Sequence, residues 1–496
     1  MSSSSKSILA IDQGTTSSRA ILFSQSGNLL AQENQEFEQI FPHDGWVEHR
    51  AEDIWQSVLN MARAMMAKSE ALDCPPLGIG ITNQRETVVV WDRYTGEAIC
   101  DAIVWQDRRT ASVCEALQEA GHLDQVSNAS GLLLDPYFSA TKVAWILDHV
   151  DGARARAEAG DLCFGTIDSF LIWRLTGGKH HLTDATNASR TNLYNIEKGE
   201  WDSALCRLFD VPMAILPEVR DCASHFGDTD PALLGTSLPI LGVAGDQQAA
   251  TIGQACFAAG DIKSTYGTGC FMLANTGSKR LHSQHKLLST IAYRIQGETT
   301  FGLEGSIFIS GAIIQWLRDG LQILSHASES EAMAASLPSH EGVYMVPALT
   351  GLGAPHWAPH ARGAIYGITR DTGPAHFARA ALESVAYQTH DLIKAIEGDG
   401  MSCAGIKVDG GMVANNWLTQ FMADVNQTVI DRPVVTETTA LGVAMLAMLQ
   451  DGQFASLEDM SQMWQLERRF SPAMDEAQAS ILCEGWHKAV QRTLLD

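Results

Sequence analysis

One stretch limits the folds open to this chain more than any other. Residues 10–23 read AIDQGTTSSRAILF. An apolar run ends in Asp12, the chain turns through Gly14, Thr15 and Thr16, and a second apolar run follows. Two apolar runs around a short Gly-containing turn read as a β-hairpin. This turn carries more than a hairpin needs. It offers closely spaced backbone N–H groups and the hydroxyls of Thr15, Thr16, Ser17 and Ser18, and Gly14 lets the backbone approach a ligand closely. Such a concavity can hold a phosphate without a lysine. Asp12 supplies the oxygen chemistry that Mg²⁺ prefers, and Arg19 can add a charged contact to phosphoryl oxygens. The Lys-bearing GxxxxGK[ST] loop and the GxGxxG dinucleotide fingerprint are both absent. By itself, the segment is read better as an ordinary tight hairpin.

The same rhythm returns in the second half. Residues 241–245 form an apolar run that ends at Asp246, and residues 265–269 read TYGTG inside a hairpin pattern over 261–274. Residues 406–409 read as a short strand running into Gly410 and Gly411, a junction on which an adenine and ribose can lie flat; Asn415 or Asn416 then caps a helix through Val425. Strand–Gly–turn units near the start of both halves imply two similar α/β domains made by duplication, residues 1–255 and 256–496, with the boundary inside 253–261. Residues 51–68 place Ile54, Trp55, Val58, Leu59, Ala62, Met65 and Met66 on one helical face. Strands are expected over 77–82 and 87–91. A helix is expected over 310–324, with Ile313, Ile314, Leu317, Leu321 and Leu324 on one side.

Composition narrows the function classes. A chain of 496 residues holds about two to four domains. A formal net charge of −24 argues against broad binding to nucleic acid or anionic membranes, although backbone N–H groups and a metal can still build a local phosphate site. Ten cysteines without a CxxC pair point to reduced thiols rather than zinc or disulfides. The start, MSSSSKS, has no apolar signal-peptide core. The apolar run over 440–449 is too short to span a bilayer and reads as a buried helix. A cytoplasmic location without an integral membrane segment follows as the expectation. The histidines show no HExxH or other ligand spacing.

Together, in this order, the Asp- and Gly-bearing turns resemble the nucleotide cradle of the actin, hexokinase and heat-shock chaperone superfamily. Further segments make the resemblance specific: FEQIFPHDGWVEH, GITNQRET, AIVWQDRRTA, LDPYFSATKVAWILDHV, FGTIDSFLIWRLT, TDATNASRTNLYNI, GVAGDQQAA, STYGTGCFMLANTG, GAPHWAPHARGAIYGITR and VDGGMVANN. Over residues 10–445 the chain resembles the FGGY carbohydrate kinases. The resemblance implies two duplicated ribonuclease-H-like domains of the actin/hexokinase type around an interdomain cleft. It implies ATP-dependent phosphorylation of a small polyol, glycerol for preference, to sn-glycerol 3-phosphate with Mg²⁺, by a homodimer or homotetramer. Arg85, Glu86 and Tyr137 would bond the substrate hydroxyls. Trp105 and Phe271 would pack on its carbons. Asp246 would be the general base beside the reacting hydroxyl, with Gln247 adjacent. Thr15, Thr16, Ser17, Arg19 and Thr268 would cradle the phosphates, while Gly311, Gln315, Gly411 and Asn415 would line the nucleotide. Asp12 and Asp246 would face the metal. Arg85 and Glu86 are adjacent, and neighbours on a strand point to opposite faces, so a loop is expected there.

Residues 221–262 contain no Lys or Arg, so the family's inhibition by fructose 1,6-bisphosphate is expected to be weak or absent. The stretch FSPAMDEAQAS is also unlike the segment that some enteric members present to a phosphocarrier protein. Two alternatives stay open: a kinase for another small polyol or ketose such as dihydroxyacetone, or an actin- or chaperone-like ATPase switch. The polyol set Arg85, Glu86, Trp105, Tyr137 and Phe271 argues against a switch.

Overall fold

The computed structural model describes residues 6–495. The polar start lies mostly in residues 1–5, outside the described residues. In the first half, β1 (Ser7–Gln13), β2 (Ser17–Ser24) and β3 (Leu29–Glu36) form an antiparallel meander. After helix α1 (Ala51–Ala71), β4 (Pro76–Asn83) pairs parallel to β1, and β5 (Ile240–Gly245) pairs parallel to β4. The sheet order is β5-β4-β1-β2-β3. Residues 84–239, between β4 and β5, are a long insertion of short helices and strands. Helix α2 (Asp246–Gly253) leaves β5 directly.

The second half repeats the plan. Its strands are β6 (Ile262–Tyr266), β7 (Cys270–Gly277), β8 (Leu288–Ile295), β9 (Glu298–Ile307), β10 (Ile406–Asp409), β11 (Ile430–Pro433) and β12 (Leu466–Phe470). They are ordered β8-β9-β7-β6-β10-β11-β12. Without the edge strands β8 and β12, the order and directions match the first sheet: β6, β7 and β9 antiparallel, then β10 parallel to β6 and β11 parallel to β10. The duplication inferred from the Gly-turn rhythm is thus written in the topology. Helices α3 (Pro374–Gly398), α4 (Asn416–Asn426) and α5 (Thr438–Gln450) complete the frame.

The unbroken apolar run of β1 has a simple cause: both faces of this sheet are covered. Leu9 and Ile11 pack with Ile54, Trp55 and Val58 of α1, whereas Ile8 and Ala10 pack with Leu441, Val443 and Ala444 of α5. Although α5 follows β11 in the second half, it lies on the first sheet. It is buried from Ala440 to Met448, as a helix apolar all round must be. Each large side chain it buries is worth on the order of 1.5–3 kcal/mol. The partly exposed ion pair Arg19–Glu437, which crosses the halves, contributes about 0–1 kcal/mol, so apolar burial under α5 does more to hold the halves together.

Two expected elements differ from the structure. The helix expected over 310–324 is α-helical only over Gly311–Gln315, widens into a π turn over Trp316–Gly320, and ends before Leu324. Its apolar spacing is helical, but Gln322 takes a positive φ of 57° that stops the helix. The strand expected over 87–91 is Val89–Asp92, because the Thr87 amide is spent on the preceding turn, donating to Arg85 O at 2.7 Å, and Val88 makes only an isolated bridge to Ile103. All ten cysteines are free, as their spacing suggested. No helix among the described residues is long and apolar enough to cross a membrane.

Candidate active site

The turn between β1 and β2 is held open by its neighbours. The Gly14 amide donates to Ser17 O at 2.9 Å, and the Gln13 and Gln84 side-chain amides both donate to Gly14 O. Thr16 at its tip is exposed; Thr15 and Ser17 are half-buried. Thr15 Oγ1 accepts the indole N–H of Trp105 at 2.9 Å, which ties the turn to an aromatic wall formed with Tyr137 and Phe271. The matching turn between β6 and β7 exposes Gly267 and Thr268. The segment starting at Ser310 docks on it: Ser310 N and Ala312 N donate to Thr268 O, and Gly311 N donates to Gly267 O. A Cβ on Gly311 would stand 2.6 Å from Gly267 O, so packing alone requires this glycine. Gln315 is exposed, and its side chain makes no hydrogen bond to the described residues.

A cavity of about 550 Å³ opens between Arg19 of the first domain and second-domain residues that include Thr265, Asp409, Gly410, Gly411 and Thr438. The N-terminus of α5 opens into it, a favourable end for an anion. Arg19 forms an ion pair with Glu437 across this space. Asp409 is buried and fixed by Gln254 Nε2 at 2.7 Å and Thr438 Oγ1 at 2.6 Å. Gly410 sits at φ 90°, with any Cβ overlapping Tyr266 O. Gly411 differs: a Cβ there would meet no protein atom within 4 Å. Asn415 caps α4, its Oδ1 accepting from Leu418 N at 2.9 Å. Of the nine residues expected on the nucleotide side, Arg19 and Gly411 line this cavity.

The expected polyol residues converge beside it. Arg85 and Glu86 follow β4 in a loop, and Glu86 takes φ 62°. A non-glycine residue there carries roughly 1–2 kcal/mol of strain, offset by the bonds holding it: Arg190 Nε donates to Glu86 Oε1 at 2.7 Å and Ser139 Oγ to Glu86 O at 3.0 Å. Burial raises the Glu86 carboxyl above its usual range, opposed by Arg85 and Arg190. Trp105 lies edge-on to both Tyr137 and Phe271, with ring centroids 5.6 and 6.2 Å apart, and Arg85 stands 5.8 Å over Phe271. Phe271 comes from β7, so the aromatic wall is built by both domains. The Tyr137 loop is anchored by buried Lys142, which donates to the carbonyls of Pro136 at 2.6 Å and Tyr137 at 2.7 Å; burial lowers its ammonium to about 8. Asp246, first residue of α2, accepts Arg85 Nε at 2.9 Å, and its side chain remains 32 % exposed. Gln247 is buried, with its Oε1 taken by Lys263 of β6.

Asp12 sits in β1 opposite Arg19. Burial pushes its carboxyl up to about 7, opposed by Arg19 and reinforced by Glu437 and Asp246. Its oxygens accept no hydrogen bond from the described residues, and no group of three or more His, Cys, Asp or Glu side chains among them is arranged to hold a metal. That donor set fits Mg²⁺, which is usually held by one or two carboxylates together with water and substrate phosphates.

Sequence reasoning missed Arg190, Lys142, Lys263, Glu437 and, above all, Glu304. This fully buried carboxylate on β9 accepts Arg190 Nη2 at 2.8 Å and both terminal nitrogens of Arg85. A lone Glu in the apolar run TFGLEGSI was the available signal.

The family model for the N-terminal domain of the FGGY carbohydrate kinases matches residues 7–253, and that for the C-terminal domain matches residues 262–450. The chain belongs to the FGGY family of carbohydrate kinases. Glycerol kinase of Rhodospirillum centenum is 60 % identical to this FGGY kinase over 486 residues, 98 % of each chain. A solved structure of Plasmodium falciparum glycerol kinase with ADP superposes with a TM-score of 0.93 at 34 % identity, covering 99 % of each chain. Gluconate kinase from Lactobacillus acidophilus superposes at 0.90 with 20 % identity, also over 99 % of each chain. The last comparison, at 20 % identity, shows a shared fold only.

Proposed function

We propose that this FGGY kinase transfers the γ-phosphoryl group of ATP to a terminal hydroxyl of glycerol, giving sn-glycerol 3-phosphate, with Asp246 as general base. The observation that carries this reading is the closed set of Arg85, Glu86, Trp105, Tyr137 and Phe271 beside a partly exposed Asp246. Every hydroxyl of a small triol must find a partner once water is excluded. Arg85 and Tyr137 can donate, Glu86 can accept, and the rings cover the carbon chain. The long identity to curated glycerol kinases supports the same substrate.

The hydroxyl attacks in line while Asp246 takes its proton, because an alcohol is a poor nucleophile until the proton has somewhere to go. The two Gly-Thr turns and Arg19 receive the phosphates, and Gly411 and the α5 N-terminus receive the nucleotide. Asp12 and Asp246 would hold Mg²⁺, which spreads the charge on the phosphoryl oxygens. Closing the domains over the pocket keeps water from competing as acceptor. A switch ATPase would need none of the polyol set.

The test is ADP release from MgATP with glycerol, dihydroxyacetone, xylulose or no acceptor. Release that depends on glycerol is expected. Preference for a longer sugar would discard the substrate assignment, and acceptor-independent release would discard the kinase reading. Gly411 offers a separate check on the nucleotide. Because a methyl there touches no protein atom, Gly411→Ala is expected to leave the melting temperature unchanged. If nucleotide lies against this backbone, KM for ATP should rise roughly 10-fold or more, the size of a misfit methyl in a snug pocket. An unchanged KM would move the nucleotide elsewhere.

A further inference from the structure

We propose that Glu304 is a positioning residue that sets the selectivity of the polyol pocket, by fixing Arg85 and Arg190 in one orientation beside Asp246. The inference rests on the reading of this site as a polyol pocket.

Glu304 lies within β9, opposite Leu273 and Leu288 of the neighbouring strands, with no solvent exposure. A charge buried this way survives only if paired. The two guanidinium groups hold its carboxyl down to about 2.

The donors can be followed one by one. Arg85 gives Nε to Asp246, Nη1 to Glu304 and Gln248, and Nη2 to Glu304. Of the five N–H groups of a guanidinium, one on Nη2 is left for a ligand. Arg190 gives Nε to Glu86 and Nη2 to Glu304, and its buried Nη1 has no partner among the described residues. Glu304 therefore decides where the remaining donors point, since a planar fork clamped at both terminal nitrogens cannot turn. It also screens two cations from each other. Without it, Arg85 keeps a single carboxylate partner, Asp246, and can rotate onto the base.

The domain of origin adds a second consequence. Arg85, Arg190, Glu86 and Asp246 belong to the first domain and its insertion, whereas Glu304 belongs to the second. The clamp forms only where the domains meet, so both domains are needed to build the polyol pocket.

The test compares wild type with Glu304→Gln, which keeps the shape but removes the charge. Acceptors are glycerol and propane-1,2-diol, which lacks one terminal hydroxyl. The expected result is a fall of about 100-fold in kcat/KM for glycerol, mainly through KM. The proposal assigns the remaining Arg85 donor to the terminal hydroxyl that is not phosphorylated, which the diol lacks, so the diol should lose only a few fold. KM for ATP and the affinity for a fluorescent ADP analogue should stay within about twofold. Equal loss for both acceptors, or an unchanged KM for glycerol, overturns the proposal. If Glu304→Gln does not fold, Glu304→Asp keeps the charge and shortens its reach, and the same split between acceptors decides. Failure of wild type to phosphorylate glycerol would count against the function reading alone. A selective KM loss in the Gln variant on whichever polyol is accepted would still support the clamp.

Discussion

Asn in place of Asp246 is expected to leave a folded protein that turns over roughly 10²–10⁴-fold more slowly, the usual range for losing a general base. The site makes this a clean substitution. Asp246 Oδ1 accepts Arg85 Nε at 2.9 Å and the Gln247 amide at 2.6 Å, and an amide oxygen can accept both. Its partner Arg85 is buried but keeps both terminal nitrogens on Glu304, so no buried charge is stranded. Of the other nearby carboxylates, Glu304 is committed to two arginines, Glu86 is held by Arg190 through Oε1 and is assigned to a hydroxyl that is not transferred, and Asp12 is assigned to the metal. The check is kcat from ADP release, with the melting temperature measured alongside. A steep fall in kcat with KM for glycerol within a few fold fits a proton acceptor used in the transition state. Near-normal turnover would remove Asp246 from that role.

The features legible in the sequence were those with local causes. The hairpin over residues 10–23 was visible because two apolar runs, a glycine and the turn lie within one short stretch, and a cap at Asn415 or Asn416 was visible because capping is decided within a turn of helix; the structure uses Asn415. The loop at Arg85–Glu86 followed from the two-residue period of a strand. What stayed hidden depends on pairing between distant segments. The parallel partner of β4 is β5, which arrives only after the insertion over 84–239. Glu304 gains its meaning from two arginines that reach it from the other domain, and nothing near it in the chain announces this. Arg190 stands in TDATNASRTNLYNI without a local pattern to mark it. The overlong helix at 310–324 shows the reverse failure, where a good apolar period continued past the point at which the backbone changed hand.

The glycine at position 442 leads to a prediction that ordinary helix propensity would get wrong in sign. In a solvent-exposed helix interior, Gly→Ala gains about 1 kcal/mol. Gly442 lies inside α5, where that helix crosses α2, and a Cβ there would overlap the carbonyl oxygen of Ala249. The crossing is reciprocal, since a Cβ on Gly253 of α2 would overlap the Thr438 carbonyl of α5. Both obstacles are backbone, so no rotamer change can relieve them; the helices would have to separate. Separation would lift α5 from β4 and β5, where Gly80 and Gly242 also bring backbone against Val443 and Ala447. Gly442→Ala is therefore expected to destabilise by about 3 kcal/mol, the upper end for overpacking, seen as a clear fall in melting temperature. Activity should fall with it, because Thr438 at the start of α5 holds Asp409 in the cavity proposed for the nucleotide. Gly411→Ala, which meets no protein atom, serves as the stability control. If Gly442→Ala melts and turns over like wild type, the two helices are not in backbone contact and the domains are joined by something looser than this crossing.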